Sequence, residues 1–187
     1  MKSANKQTVS APANLDQGPT IGFAELPDPL AFSSFVPFLK GVFSQWHSTP
    51  FEVDGTPFVT AEQWMMFAKA MLFDDHDRAA QIIASPDPGV QKRLGQAVSG
   101  FNQSLWDTWK IDIVYRGNIA KFSQNSGALR QLRNTDNSML VEANPRDWIW
   151  GIGRAIDDPA GHAPSNWRGQ NLLGRILTKV RQDLVDY

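Results

Sequence analysis

The sequence predicts a mainly α-helical fold, an irregular compact helical bundle in a single domain, with one or two small β-hairpins. Three observations predict it. Apolar residues recur at helical spacing in five separate segments. One short stretch carries the alternation and turn chemistry of a hairpin, and no internal repeat divides the chain. With 187 residues, 42% hydrophobic and 20% charged, the chain is long enough to bury roughly 70% of its unfolded surface around one core.

In chain order, residues 1–20 are small and polar, with no apolar periodicity, and read as a flexible tail preceding a domain over 21–187. Residues 21–43 mix apolar side chains with Pro27, Pro29 and Pro37, which fits irregular structure with one short helix or strand. Asp54-Gly55 lies between two short alternating runs within 51–59, a hairpin signal. Thr60 and Gln63 form a capping-box pattern, and Ala61, Trp64, Met65, Ala68, Met71 and Leu72 then mark one face of an amphipathic helix. Further helices are expected over 76–85, 89–98 and 104–122, the last carrying Leu105, Trp109, Val114 and Ile119. A final one over 173–184 opens near Asn171. Residues 139–143 read as a short strand, and 157–169, rich in Gly, Pro, Asp, Asn and Ser, as a loop.

Composition excludes several function classes. Eighteen Lys+Arg against 19 Asp+Glu give a formal net charge of -1, and the basic residues form no stripe, which argues against tight nucleic-acid binding. Without cysteine there is no thiolate nucleophile, disulfide or cysteine-based metal site. His47, His76 and His162 lack metal-ligand spacing, so no metal and no cofactor is expected. The apolar runs are far shorter than the ~20 residues a membrane helix requires, and no signal-peptide stretch opens the chain, so the expected location is cytoplasmic with no membrane partner.

Two groups of residues have the makings of a site. Glu62 falls in the first turn of the helix after Thr60, where the helix dipole favours an ionised carboxylate. Lys69, seven residues on, returns to nearly the same face about 10 Å along the axis. A carboxylate and an ammonium so spaced fit opposite ends of a sugar phosphate, although the same spacing describes two solvated charges. The second group is the stretch 140–153, which brings Glu142, Asp147, Trp148 and Trp150 into a turn-rich segment suited to a polar aromatic ligand. Seven Trp are unusual for this length; most such indoles fill cores, and a minority serve as stacking platforms.

Several blocks together resemble the NADAR domain family, which includes a bacterial N-glycosidase cleaving riboflavin biosynthesis intermediates. They are Phe43-Ser-Gln-Trp46 with Pro50-Phe51, Val53-Asp-Gly55, and Phe58-Val-Thr-Ala-Glu-Gln-Trp-Met-Met-Phe-Ala-Lys-Ala70. Lys92-Arg-Leu-Gly95, Trp106-Asp107, Leu140-Val-Glu-Ala143, Asp147-Trp-Ile-Trp-Gly-Ile-Gly153 and Asn171-Leu-Leu-Gly174 with Arg181 complete the set. With their flanks these blocks span most of the chain, and their order and spacing are far more specific than any single motif.

The resemblance implies a mostly helical domain that hydrolyses an N-glycosidic bond between a ribose carbon and a base-like nitrogen without a metal. It implies Glu62 as the catalytic carboxylate, stabilising an oxocarbenium-like transition state and positioning water. Asp147 is the accompanying candidate acid, a role that requires burial to raise its pKa. It places Trp46, Lys69, Trp106, Trp150, Gly151 and Asn171 in the substrate-binding set. Gln45 stands where the family often has Asn, and Gln96 where an Arg commonly follows Leu-Gly, a departure that bears on phosphate recognition. The implied substrate is a small nucleotide-like molecule, a ribosylamino-pyrimidine phosphate. Removal of ADP-ribose from modified nucleobases is the second catalytic reading. A non-catalytic module binding ADP-ribose or a nucleotide, and a helical interaction surface, are readings of other classes. A binding module needs the indoles and Lys69 but not Glu62, and a surface protein needs no pocket around it.

Overall fold

The computed structural model describes residues 18–185, so residues 1–17 of the expected tail lie outside the described residues. Thr20, the last residue assigned to that tail, is tied to the domain. Its N–H and hydroxyl both donate to Asp112 Oδ1, at 2.9 and 2.6 Å, and Ile21 beside it is buried.

After 3-10 turns at Phe23–Glu25 and Pro29–Ala31, the elements run β1 (Phe35–Phe38), β2 (Phe51–Val53), β3 (Thr56–Phe58), α1 (Ala61–Leu72), α2 (His76–Ala84), α3 (Pro88–Gln96), α4 (Gln103–Gln124), α5 (Ser126–Arg133), β4 (Met139–Glu142) and α6 (Leu172–Val185). The bundle is mainly helical, as expected, but only one strand pair is a hairpin. Strands β2 and β3 pair antiparallel around Asp54 and Gly55, whose φ values of 49° and 77° give the two left-handed residues of a tight hairpin turn. The second pair, β1 with β4, is parallel, with Phe38 opposite Glu142. Parallel pairing needs a long crossover, and here most of the helices lie between the two strands, which no local turn signal reveals. Helix α5 was not anticipated, because its eight residues span barely two turns and repeat their apolar face too few times to be read as a separate period.

Helix α1 is the axis of the fold. The expected amphipathic stripe is in fact a helix buried on nearly all sides, by packing against α2, α3 and α4. Burial of Trp64, Met65, Phe67 and Met71 contributes about 1.5–3 kcal/mol each. Its start is fixed by side chains: the Thr60 hydroxyl accepts from the Gln63 N–H at 3.0 Å and donates to Gln91 in α3. Gln63 does not close the capping box on Thr60. Its Oε1 accepts from Val59 N–H, and its Nε2 reaches the carbonyls of Ile82, Ile83 and Ser85 at the end of α2.

Neighbouring helices approach closely where they lack a side chain. A Cβ on Gly95 of α3 would lie 2.0 Å from Met66 Sδ, and one on Gly117 of α4 would lie 2.1 Å from the Trp64 ring. Trp64 Nε1 donates to the Ile113 carbonyl at 2.7 Å across the second contact. The result of this packing is that the first turn of α1, the end of β4, α3 and the start of α4 border one cleft. Among the described residues no helix is long and apolar enough to cross a membrane.

Candidate active site

The cleft has a volume of about 620 Å³, within the range of small-ligand sites. Glu62, Lys69, Trp46, Trp106, Asp147 and Trp150, scattered over 105 residues of sequence, all line it.

Glu62 enters from the first turn of α1 and is 4% exposed. Its N–H donates to the Gln45 carbonyl at 3.0 Å, and the Trp46 side chain hydrogen-bonds its carboxyl. The helix dipole does not keep this group an ordinary carboxylate. Burial raises its pKa to about 7, opposed by nearby Lys92 and the Trp46 hydrogen bond and helped by the negative charge of Asp147. Desolvation outweighs the helix terminus because the acid sits inside the cleft wall rather than on the surface.

A second acid, Glu142, belongs to the turn-rich stretch 140–153 but not to the set of site residues that the resemblance implies. It ends β4, lines the same cleft, and its Oε2 is enclosed without a hydrogen-bond partner. Burial pushes its pKa up to about 8, with Asp147 and Glu62 adding to the rise and Lys92 opposing it. The signal in the sequence was an acid at the end of an otherwise apolar strand, Leu140-Val-Glu-Ala143. That position places a carboxyl at the strand's edge only once the parallel partner β1 is known.

Asp147, the expected acid, lines the cleft on the turn after β4. Its Oδ1 accepts the N–H groups of Ile149 and Trp150 at 3.0 and 2.8 Å, so one oxygen is committed to holding the turn that carries Trp150.

Lys69 returns to the Glu62 side of α1, as the spacing predicted. Its ammonium lies 4.4 Å from the Phe101 ring centroid and 5.4 Å from that of Trp106, and burial lowers its pKa. Trp106 is half-buried at the start of α4, and Trp46 is 48% exposed, with Lys92 Nζ 5.9 Å from its ring centroid. Lys40, Lys92 and Arg146 add cations to the lining, and Gln96 lines it too.

Gly151 and Asn171 do not line the cleft; they build its wall. A Cβ on Gly151 would meet the Glu142 carbonyl at 2.8 Å, so glycine lets the 147–151 turn press against the end of β4. Asn171, buried and at φ 53°, accepts the Glu142 N–H and donates to the Leu140 carbonyl, both at 2.9 Å. It fixes the backbone from which Glu142 projects.

The loop before α1 is held from behind by two groups that sequence reading missed. Lys121 of α4 is fully buried and donates to the carbonyls of Val42 at 2.6 Å and Ser44 at 3.1 Å, with its pKa lowered to about 7 by burial. Asn118, one turn earlier, donates to Gln45 Oε1 at 3.1 Å. Gln45 Nε2 remains buried without a partner in the cleft wall, a donor available to a ligand hydroxyl. Among the described residues, no three His, Asp or Glu side chains are grouped to hold a metal ion.

The chain is similar to several known proteins. The NADAR domain model matches residues 34–185. The chain is 41% identical over 147 residues to N-glycosidase R617 of Acanthamoeba polyphaga mimivirus, an alignment covering 76% of this chain and 86% of that protein. It is 29% identical over 145 residues to N-glycosidase YbiA of Escherichia coli (strain K12), covering 78% and 82% of the two chains. The NMR structure of E. coli YbiA superposes with a TM-score of 0.68 at 26% identity, covering 83% of this chain and 87% of that one.

Proposed function

The chain belongs to the NADAR domain family, and on that premise we propose that it is an N-glycosidase hydrolysing the C–N bond of a ribosylamino-pyrimidine phosphate. The observation that carries the reading is the Glu62 carboxyl, buried in the cleft wall, hydrogen-bonded by Trp46 and flanked by Lys92 and a further acid. Breaking a ribosyl C–N bond builds positive charge on the sugar, and an ionised carboxylate beside the ring opposes it in a site of low dielectric. Glu62 in its ionised form supplies that charge and accepts a proton from the attacking water. Trp46, by donating to the carboxylate, favours the ionised form and orients it.

Trp106 and Trp150 provide the stacking surfaces for the heterocycle, and Lys69, held over the Phe101 and Trp106 rings, meets the phosphate. No metal or cofactor enters this mechanism. The cations Lys40, Lys69, Lys92 and Arg146 outnumber what one monophosphate needs, which favours a second substrate class, ADP-ribose attached to a nucleobase. The test is incubation of the purified protein with a ribosylamino-pyrimidine 5′-phosphate and, separately, with ADP-ribosylated base. Mass spectrometry distinguishes release of ribose phosphate from release of ADP-ribose, and turnover of neither returns the protein to the binding-module reading.

A further inference from the structure

The leaving nitrogen needs a proton that Glu62, as water-activating carboxylate, does not supply. We propose that Glu142 is the general acid, donating its carboxyl proton to the nitrogen as the C–N bond breaks. The inference rests on the N-glycosidase reading. Its geometry is the placement of the Glu142 carboxyl. Asn171 anchors the backbone N–H at 2.9 Å, β1 pairs with the strand through Phe38, and the side chain lines the cleft that Glu62 also lines. Oε2 is shut off from solvent and makes no hydrogen bond within the protein, so no protein acceptor holds a proton on this carboxyl, and the residue lines the cleft.

The charged groups acting on Glu142 come from three elements: Asp147 on the loop after β4, Glu62 on α1 and Lys92 on α3. The two acids hold its proton, and Lys92 opposes them without outweighing burial. Asp147, with Oδ1 already accepting two backbone N–H groups, holds the turn and supplies negative charge that keeps its neighbour protonated. After burial, the leading influences on Glu62 are Lys92 and the Trp46 hydrogen bond, which favour its charge. The leading influences on Glu142 are two acids, which favour its proton, and environments so opposed divide the pair into base and acid.

The step balances. The Glu142 proton goes to the nitrogen, which takes the C–N electron pair, and water adds to the ribose carbon and gives its proton to Glu62. One proton returned from Glu62 to Glu142 restores the starting state, with one water consumed.

The test is the pH profile of kcat for wild type, Glu142→Gln and Glu142→Asp on a ribosylamino-pyrimidine 5′-phosphate, with Glu62→Gln as control. Loss of the acid lowers kcat by about 10²–10⁴-fold. KM stays within about threefold, because Gln keeps the outline of the neutral acid. The wild-type profile falls on its alkaline side above about pH 8, that limb disappears in the residual activity of Glu142→Gln, and Glu142→Asp recovers part of the rate. An infrared band of a protonated carboxyl at pH 7, losing the Glu142 contribution in folded Glu142→Gln while that of Glu62 remains, is the second readout. An active wild type with a Glu142→Gln variant of unchanged kcat, an unchanged alkaline limb, or no lost carboxyl band overturns the assignment of Glu142 alone. A wild type that releases neither ribose phosphate nor, from ADP-ribosylated base, ADP-ribose, while Glu142→Gln still loses its part of the band, overturns the N-glycosidase reading and the general acid with it.

Discussion

Trp46 hydrogen-bonds the carboxyl of Glu62 while the carbonyl of Gln45 accepts the Glu62 N–H at 3.0 Å, so the loop carrying the indole is fastened to the helix carrying the acid. Because that bond favours the ionised acid, Trp46→Phe moves the Glu62 titration to higher pH. A hydrogen bond to a charged group is worth ~1.5–3 kcal/mol, so the acidic limb of kcat/KM shifts up by roughly one pH unit or more. An unshifted limb in the folded variant removes Trp46 from the control of Glu62.

Trp106→Ala and Trp150→Ala test the stacking surface. Base stacking is worth ~1–3 kcal/mol, so each variant raises KM by roughly 5- to 150-fold. Both residues are half-buried against the core as well as in the cleft, so some stability is lost too. The contrast is Trp64→Ala, inside α1's packing, which costs about 3–5 kcal/mol of stability. Unchanged KM in both cleft variants assigns these indoles to packing alone.

Helical periodicity disclosed the bundle, and Asp54-Gly55 disclosed the hairpin, because both are local signals. What it concealed was set by distant partners. The parallel β1/β4 pair joins residues over a hundred positions apart, and it sets Glu142, named in the turn-rich stretch but given no role there, at the strand end that borders the cleft. Glu62 and Lys69 were legible from their helical spacing and from the family resemblance. The raised pKa of Glu62 was not, because it follows from burial by α3, the 40–46 loop and the 142–150 segment rather than from its place in a helix. Asn171 and Gly151 show the reverse: they belong to the resemblance, yet they act on the backbone behind the cleft.

Stability depends on pH in an unusual direction. Glu62 and Glu142 titrate in the folded chain at about 7 and about 8 against an ordinary 4.5, so the folded state binds more protons than the unfolded chain between those values. Stability therefore falls as pH rises from about 4.5 to about 8, with a slope approaching ~1.4 kcal/mol per pH unit for each acid. Lys121 has the opposite sign. Its folded pKa of about 7 lies below the ordinary 10.5, so stability recovers as pH rises between them. Melting temperatures across pH 5–10 are expected to show a minimum near neutral to mildly alkaline pH, and Glu142→Gln to make the descent toward pH 8 shallower. A melting temperature that climbs steadily from pH 5 to 8 contradicts the burial of these acids.

Chelation leaves the rate unchanged in this mechanism. The carboxylates of the cleft act on sugar and water directly, and Lys92 already neutralises part of their charge. Activity in EDTA equals activity without it. Inactivation reversed by Mg²⁺ or Mn²⁺ identifies a carboxylate-bound ion and replaces the proposed chemistry.

Single-turnover kinetics of Glu62→Gln on the ribosylamino-pyrimidine 5′-phosphate tests most directly whether the Glu62 charge stabilises the transition state. Glutamine preserves shape and hydrogen-bonding outline while removing the charge. The account predicts a chemical step slower by ~10²-fold or more, with substrate affinity and melting temperature not reduced. A Glu62→Gln protein that turns over at the wild-type rate contradicts it.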